Sequence, residues 1–588
     1  MKALDQIERH WRWWLLAFWL IVAGYSIYAR WAAIQGFGLG DTDDNLRMMQ
    51  VRAWLGGQAW YDLRQYRLNP PMGADVHWSR LVDLPIAGLK LLLMPILGGA
   101  RAEQVAVAVA PLLPMLVAMA ALAVAVRRLL DNRAFLIAIL LLACAGSARG
   151  MWAPLRIDHH GWQLAMLALA VMALTDPKRG RGGVILGLAT AASLTIGLEM
   201  LLYLALAGIV TVLRWVWDGE EARRLGAYGV SLAGGCAFGF LAFASYANRA
   251  PVCDALSPVW LSAMTAAGAI AVGLAWANPH ARHWRLAAAA AGGLVIAGAF
   301  ALTWPGCLGR LEQAPPELDR LWLSRVREAM PIYRHGFQTA AATLTLPIAG
   351  LIGYALMLWT HRRDPARWLP WAAVAIPAIL ALALLFWQTR AGPAAQLLSV
   401  PGATALVWAA ILWLASLRQI VLRVAGILVV FLIVSGTVTG YLNSLFPSSV
   451  SAYRKSVNIA NATCPTLRAL RPVAQQPKGT VLTFVDLGPR LITVTHHDAI
   501  AGPYHRNAQQ ILDVMHAWRG TAENARQAIR QYRVAYVLIC PNMSESTIYR
   551  SEAPEGLYAQ LARGRVPGWL QPVQLPSGSP YKMWRVIS

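Results

Sequence analysis

The sequence predicts an α-helical polytopic membrane protein of about thirteen transmembrane helices, with a small external α/β domain at its C-terminal end. Three observations carry this. Of 588 residues, 57% are hydrophobic and 14% charged, at a mean hydropathy of +0.45, a balance foreign to soluble enzymes. Apolar runs long enough to be spans recur from residue 13 to residue 442, after which the chain turns polar. The formal charge of +23 sits largely in short loops between those runs, where the positive-inside rule places Lys and Arg on the cytoplasmic side. No basic stretch is interleaved with aromatics to track a nucleic-acid backbone, so nucleic acid is excluded as a partner and membrane lipid is expected. The 26 Trp suit interfacial belts.

In chain order, residues 1–30 resemble a signal peptide but read as an uncleaved first span, at 13–28. Residues 31–102 form a long external segment. It holds the acidic stretch 41–47, an aromatic amphipathic piece at 59–66, and Asn69-Pro70-Pro71, which forces a turn. The apolar run 81–97 would put Arg127, Arg128 and Arg133 outside if it crossed, so it reads as a helix lying at the external interface. Further spans are expected at 104–126, 134–147, 161–174, 184–195, 198–213, 225–242, 259–275, 286–302, 340–358, 369–386, 397–414 and 424–442. A second long external loop covers 303–338. The domains are thus 1–442, the membrane part, and 443–588, the external part. In the tail, β-like runs at 480–486, 491–495 and 534–540 and helix-like stretches at 508–516 and 522–531 predict the α/β domain. No repeat or inverted-repeat pattern is visible.

Of six Cys, Cys144 and Cys236 sit in apolar runs and are expected to be inert. Cys253, Cys307, Cys464 and Cys540 fall in external segments. Cys253–Cys307 and Cys464–Cys540 are candidate disulfides, although spacing alone leaves other pairings open. No C-x-x-C pair or zinc spacing occurs, so structural zinc is not expected.

The acidic and His-rich clusters all fall on the external side. Asp41, Asp43 and Asp44 place three carboxylates within four residues, an arrangement that a divalent cation or basic groups would make favourable. Arg156-Ile157-Asp158-His159-His160 lies at the mouth of span four. Asp158 and either His could ligate a metal, or Asp158 could simply cap the helix. Glu199, near the outer end of span six, reads equally as a site group or an anchor. Glu328 lies in the second long loop, and Arg390 lies outside the charge rule, placed to grip a phosphate. In the tail, His496-His497-Asp498 and Tyr504-His505-Arg506-Asn507 are dense in donors. His497, His505 and Arg506 are candidate walls of a cleft, against the alternative of a polar loop network.

These features resemble the GT-C membrane glycosyltransferases, and within them the catalytic subunit of oligosaccharyltransferase. The shared plan is thirteen spans, acidic motifs in the first two external loops, a long loop between spans nine and ten, and an external C-terminal domain. Asp41-x-x-x-Asn45-x-Arg47 matches the family's first-loop motif, whose aspartate ligates the metal. Asp158 stands where the second-loop D-x-D or D-x-E motif begins, with His160 at its third position. Val326-x-Glu328 is similar to the Ser/Thr-Val/Ile-x-Glu motif, with Arg325 replacing the hydroxyl residue. Arg390 lies where the family has a phosphate-gripping arginine. The segment after Asn69-Pro70-Pro71, with its interfacial helix, resembles the lipid-linked pentose and mannose transferases of the same class. The acceptor motif Trp-Trp-Asp-Tyr-Gly is absent from the tail, and the similar Trp215-Val216-Trp217-Asp218-Gly219 falls on an expected cytoplasmic loop.

The resemblance implies transfer of a sugar or oligosaccharide from a polyprenyl phosphate or pyrophosphate donor to a glycan, lipid or protein acceptor. The expected address is the periplasmic side of the bacterial inner membrane. It implies Mg²⁺ or Mn²⁺ on Asp41 and Asp158, with Glu328 and His159 as further ligands. Asn45, Arg47, Arg390, His160 and Glu199 would then face substrate or phosphate, and Asp43 or Asp44 would orient or deprotonate the acceptor. No nucleotide fingerprint is present, in keeping with a lipid-linked donor. The rival readings are a protein oligosaccharyltransferase with an unusual acceptor site, a lipid-linked-glycan transporter, and a structural envelope protein. A transporter would place ionisable groups at the membrane midplane, whereas here the acids collect at one face.

Overall fold

A computed structural model describes residues 2–446 and 451–587. Up to residue 446 every regular element is a helix, because an apolar segment in lipid must satisfy its backbone polar groups internally. Eight helices among the described residues are long and apolar enough to cross a membrane: Trp11–Ala29, Gly99–Leu129, Gly219–Phe243, Pro258–Ala277, Arg282–Thr303, Phe337–Thr360, Pro365–Leu385 and Thr389–Ala415. Ile420–Val434 and Thr437–Leu445, bent by 72° at their junction, make a ninth if they are one span. The other segments expected to span are helical too. Phe135–Cys144, His160–Leu174 and Leu201–Trp217 are shorter, and Arg179–Ile196 carries two arginines in its first turn.

Small residues set the helix packing, as expected where lipid offers no hydrophobic drive between helices. Phe337–Thr360 meets Thr389–Ala415 through Gly350, Gly353 and Gly402. A Cβ on Gly353 would fall 1.8 Å from the Gly402 carbonyl oxygen, so only glycine permits this approach. The apolar run at 81–97 forms a helix, Asp83–Leu97, with Leu91, Leu92 and Ile96 exposed along its later turns. That is the face an interfacial helix presents to lipid. The piece at 59–66 is not helical. Its aromatics instead staple the segment 31–102 to the Gly219–Phe243 helix, with Trp60 Nε1 donating to the Ala242 carbonyl at 2.7 Å.

The C-terminal region is a mixed five-stranded sheet flanked by helices. Its strands are β1 (Thr480–Leu482), β2 (Asp498–Ala499), β3 (Val534–Ile539), β4 (Leu570–Val573) and β5 (Lys582–Val586), in the order β2-β1-β3-β5-β4. β1 runs parallel to β2 and β3, whereas β5 is antiparallel to β3 and β4. The run at 491–495, expected as a strand, lies in a helix, Gly488–Val494, opened by Pro489 at its first turn. Both disulfides form in the expected pairing, Cys253–Cys307 and Cys464–Cys540.

The expected boundary at residue 442 does not divide two cores. Leu46, Leu63, Leu68, Ala74 and Trp78 of the first long loop and Leu318 and Leu321 of the second are buried in the same cluster as the sheet residues Val481, Val537 and Leu538. Leu68 also bridges in parallel to Ala499, extending the sheet at the β2 edge. The acidic stretch is therefore held between the helical bundle and the C-terminal sheet.

Candidate functional site

Asp41 is the N-cap of the helix Thr42–Leu55. Its backbone is extended, and Oδ1 accepts from the Thr42 amide at 2.6 Å. Asp43 and Asp44 occupy the first turn, where the helix dipole favours negative charge. The second acidic loop is tied directly to this turn: the Asp158 amide donates to Asp44 Oδ1 at 2.9 Å, and the His160 amide donates to Asp158 Oδ1 at 3.0 Å. One guanidinium fills the space between the loops. Arg156 lies 2.7 Å from Asp41, 3.6 Å from Asp44 and 2.8 Å from Asp158.

The charges do not balance. Burial pushes the Asp41 carboxyl up, but Arg156 outweighs it and holds it below the usual range. Asp43 makes no hydrogen bond or ion pair among the described residues, and burial together with the Asp41 and Asp158 charges pushes it up to about 7. Asp44 is fully buried, and its Oδ2 accepts no hydrogen bond. From the tail, Asp486 follows β1. Its surroundings and the Asp41 charge push it up to about 6. A hard cation bound by oxygen ligands would relieve this repulsion, so the donor set of Asp41, Asp43 and Asp158 fits Mg²⁺ or Mn²⁺ in chemistry.

The other expected ligands lie elsewhere. His159 is turned away from the aspartates, with its Nε2 2.8 Å from Glu199 Oε1. Burial pushes its imidazole down to about 4, which keeps it neutral. Glu328 pairs with Arg390 at 2.9 Å, both exposed, and Thr389 fixes this loop by donating to the Met330 carbonyl. Glu328 is near enough for its charge to act on His160, which also lies 3.4 Å from Gln163.

Three residues expected to meet substrate are instead structural in this conformation. Arg47 is fully buried, pairs with Asp83 at 2.8 Å and stacks 4.8 Å from the Trp78 ring centroid. Asn45 is buried and accepts from Arg490 at 3.2 Å, which brings the C-terminal region onto the acidic helix. His497 is buried between the Val473 and Gly479 carbonyls. His505 and Arg506 both hold Asp254, at 2.6 Å each, and Arg506 also donates to Asn248 and to the Val76 carbonyl. Arg506 thus joins three separate chain segments.

His77, Asp254 and Asp486 were not singled out from the sequence; each is a lone polar residue in an otherwise ordinary stretch. Tyr504 belongs to the donor-dense run Tyr504-His505-Arg506-Asn507. Tyr504 donates to the Thr42 carbonyl at 3.0 Å, so the tail reaches the acidic turn itself. Arg156 was visible beside Asp158, but its place among three carboxylates depends on the fold. A crevice beside Asp158 and Arg156 is otherwise lined by apolar groups, among them Val82, Ile86, Pro114 and Trp162.

No protein-family profile matches the chain, and no curated protein matches it. Solved structures do. The archaeal oligosaccharyltransferase AglB from Archaeoglobus fulgidus, in complex with an inhibitory peptide and a dolichol-phosphate, superposes with a TM-score of 0.67 at 14% identity, over 95% of this chain and 73% of that one. The Archaeoglobus fulgidus enzyme tethered to an acceptor peptide containing the NVT sequon gives 0.67 at 15% identity, over 98% and 74%. The same enzyme in complex with Zn and sulfate gives 0.64 at 14% identity, over 97% and 72%. At these identities the likeness concerns architecture alone, and on that footing the chain carries the GT-C membrane glycosyltransferase fold, in an arrangement resembling oligosaccharyltransferase.

Proposed function

We propose that this chain is a metal-dependent membrane glycosyltransferase. It moves a sugar or oligosaccharide from a polyprenyl-phosphate or pyrophosphate donor to an acceptor on the periplasmic side of a bacterial inner membrane, through a membrane part of thirteen spans. The carrying observation is the surplus of carboxylates where the first two acidic loops meet, with Asp43 unpaired. The mainly apolar crevice ending at Asp158 and Arg156 offers a lipid phosphate a polar end and its chain an apolar wall. Asp41, Asp43 and Asp158 would hold Mg²⁺ or Mn²⁺, which supplies charge stabilisation to a departing phosphate. Asp44 fixes the second loop through the Asp158 amide, and Arg156 adds a permanent positive charge. Arg390, released from Glu328, would reach the donor phosphate as a second cation.

The buried contacts between tail and acidic helix favour one catalytic unit over a detachable tail. The test is incubation of purified protein in nanodiscs with lipid-linked sugars and saccharide or sequon-peptide acceptors. Release of lipid phosphate that stops with EDTA and returns with Mn²⁺ is expected. Metal-independent release, or donor flipping without cleavage, would overturn the proposal. Cysteine reporters at 317 and 523 should label from the periplasm and one at 363 should not.

A further inference from the structure

His77, His159 and Glu199 come from three distant parts of the chain. His77 follows the Pro70–Pro71 turn, His159 precedes the helix His160–Leu174, and Glu199 occupies the break between Arg179–Ile196 and Leu201–Trp217. Their ligand atoms all lie within 4.8 Å of one another. We propose that these three residues form a second cation site, built for an imidazole-preferring divalent metal of the zinc class. It is separate from the hard-cation site of the aspartates and does not depend on the glycosyltransferase reading.

The geometry supports this directly. A tetrahedral zinc with ~2.0–2.1 Å bonds holds its ligand atoms ~3.3 Å apart. Glu199 Oε1 is 3.5 Å from His77 Nε2 and 2.8 Å from His159 Nε2, so small shifts would admit the ion. The supporting residues are in place as well. Gln163 donates to the other Glu199 oxygen, which turns Oε1 toward the imidazoles. The Trp78 ring packs 5.3 Å from each of the His77 and His159 rings, giving the site a dry wall. Two neutral imidazoles and one carboxylate are the ligand set of a zinc site with an open fourth position, whereas carboxylates alone suit magnesium or manganese. One contact opposes binding. Arg47 lies 3.5 Å from His159 Nδ1, although its charge is already met by Asp83.

A neighbouring triad, His77, Asp254 and His505, is equally compact and shares His77. It is a poorer site. Arg506 already binds both Asp254 oxygens, at 2.8 and 2.6 Å, and a cation there would have to displace a guanidinium.

The test uses the full-length purified protein, free of any His tag, stripped with a chelator and titrated with Zn²⁺ and with Co²⁺. Bound metal is read by mass spectrometry, and the ligand field by the visible bands of cobalt. With excess Mg²⁺ present to occupy the aspartates, wild type should bind one tight equivalent of zinc with tetrahedral cobalt bands. His77→Asn and Glu199→Gln should each weaken that binding by more than ~100-fold, beyond the effect of losing a merely supporting residue. Asp43→Asn and His505→Asn should keep it. Thermal melting without metal checks that the variants fold. Undiminished zinc binding in folded His77→Asn or Glu199→Gln overturns the proposal. So does loss in His505→Asn with retention in Glu199→Gln, which would move the ion to the other triad. Absence of any bound equivalent in wild type overturns it as well.

Discussion

Two charged clusters sit at the ends of an otherwise apolar bundle, and they are built in opposite ways. In the loops expected to be cytoplasmic, Asp176, Asp218, Glu220 and Glu221 are met by Arg128, Arg179, Arg181, Arg214 and Arg224: four acids against five arginines. Every carboxylate there has a partner, and although burial pushes Asp176 up, its arginines hold it below the usual range. At the other end Asp41, Asp44 and Asp158 share one arginine among the described residues, Arg156, with the His160 imidazole also acting on Asp158, and Asp43 pairs with none. Clustered charge is therefore no guide to function by itself. The informative quantity is charge left uncompensated, because it is maintained against repulsion and is met when a cation binds. The motif-like Asp218 illustrates the other case. It caps a 3-10 turn and pairs with Arg179, and it is separated from Glu199 by a helix of 17 residues, roughly 25 Å.

The largest contrast should come from the same substitution made at both ends. Asp41→Asn keeps the size and removes charge that offsets a cation, so turnover should fall roughly 10²–10³-fold, the scale of lost electrostatic preorganisation. Asp176→Asn should leave turnover per folded molecule unchanged while destabilising the protein by ~1–3 kcal/mol, since it weakens the charged hydrogen bonds from the half-buried Arg128 and the exposed Arg181. Turnover at matched expression, with melting of each variant, separates the two. Equal turnover losses would remove the functional distinction between the clusters.

Next comes Asp43, the unpaired member. Asp43→Asn should raise the melting temperature of the metal-free protein by a few degrees at pH 8, because it removes a repelled carboxylate. The same change should weaken Mn²⁺ binding at least ~10-fold, as loss of a ligand or close charge does. A lower melting temperature without metal would mean that a further cationic group compensates Asp43. A smaller effect is expected of the Cys253–Cys307 bridge, which ties the loop before Pro258–Ala277 to the end of Arg282–Thr303. Its double serine variant should lose ~2–4 kcal/mol of stability yet keep turnover at low temperature, measured by chemical denaturation and donor release.

Much of this was legible in the sequence. Apolar runs and arginine placement locate the helices, because backbone satisfaction in lipid leaves few alternatives. Asp41, Asp44 and Asp158 could be picked out as acids at loop starts. Arg156 could be seen but not placed, since its partners lie 115 and 112 positions away in the chain. His77 and Asp254 gave no signal, because a single His or Asp becomes a site only through partners brought in by folding. Arg47 and His497 illustrate the converse. Their residue types suit ligand binding, yet each satisfies a buried polar group whose existence only the fold reveals. The strand expected at 491–495 failed because Pro489 and the adjoining apolar residues serve a short helix packed on Thr42–Leu55.

The smallest effect concerns an uncompensated acid within the tail itself. Glu545 is buried. It accepts from the Val485 amide at 3.0 Å, the Asp486 amide at 2.9 Å and the Tyr549 hydroxyl, and no arginine among the described residues pairs with it. Burial and the nearby Asp486 charge outweigh those donors and push it up to about 8, from an ordinary 4.5. A carboxyl raised on folding contributes stability in full below its unfolded pKa and loses it as pH climbs through the folded value. Amide exchange across 480–494 should therefore report local opening that grows easier between about pH 5 and 8, after correction for intrinsic exchange. Glu545→Gln cannot ionise, so its slope should be flat. Its amide nitrogen would face a backbone N–H, so it should be less protected than wild type at pH 5, and the two proteins should converge toward pH 8. The wild-type change is expected to be about 1–2 kcal/mol, well short of the full shift because Glu545 and Asp486 titrate together. A slope that persists in Glu545→Gln would assign the dependence to Asp486, whose own raised pKa faces Asp41, and would make the acidic turn rather than the sheet the source of the tail's response to pH.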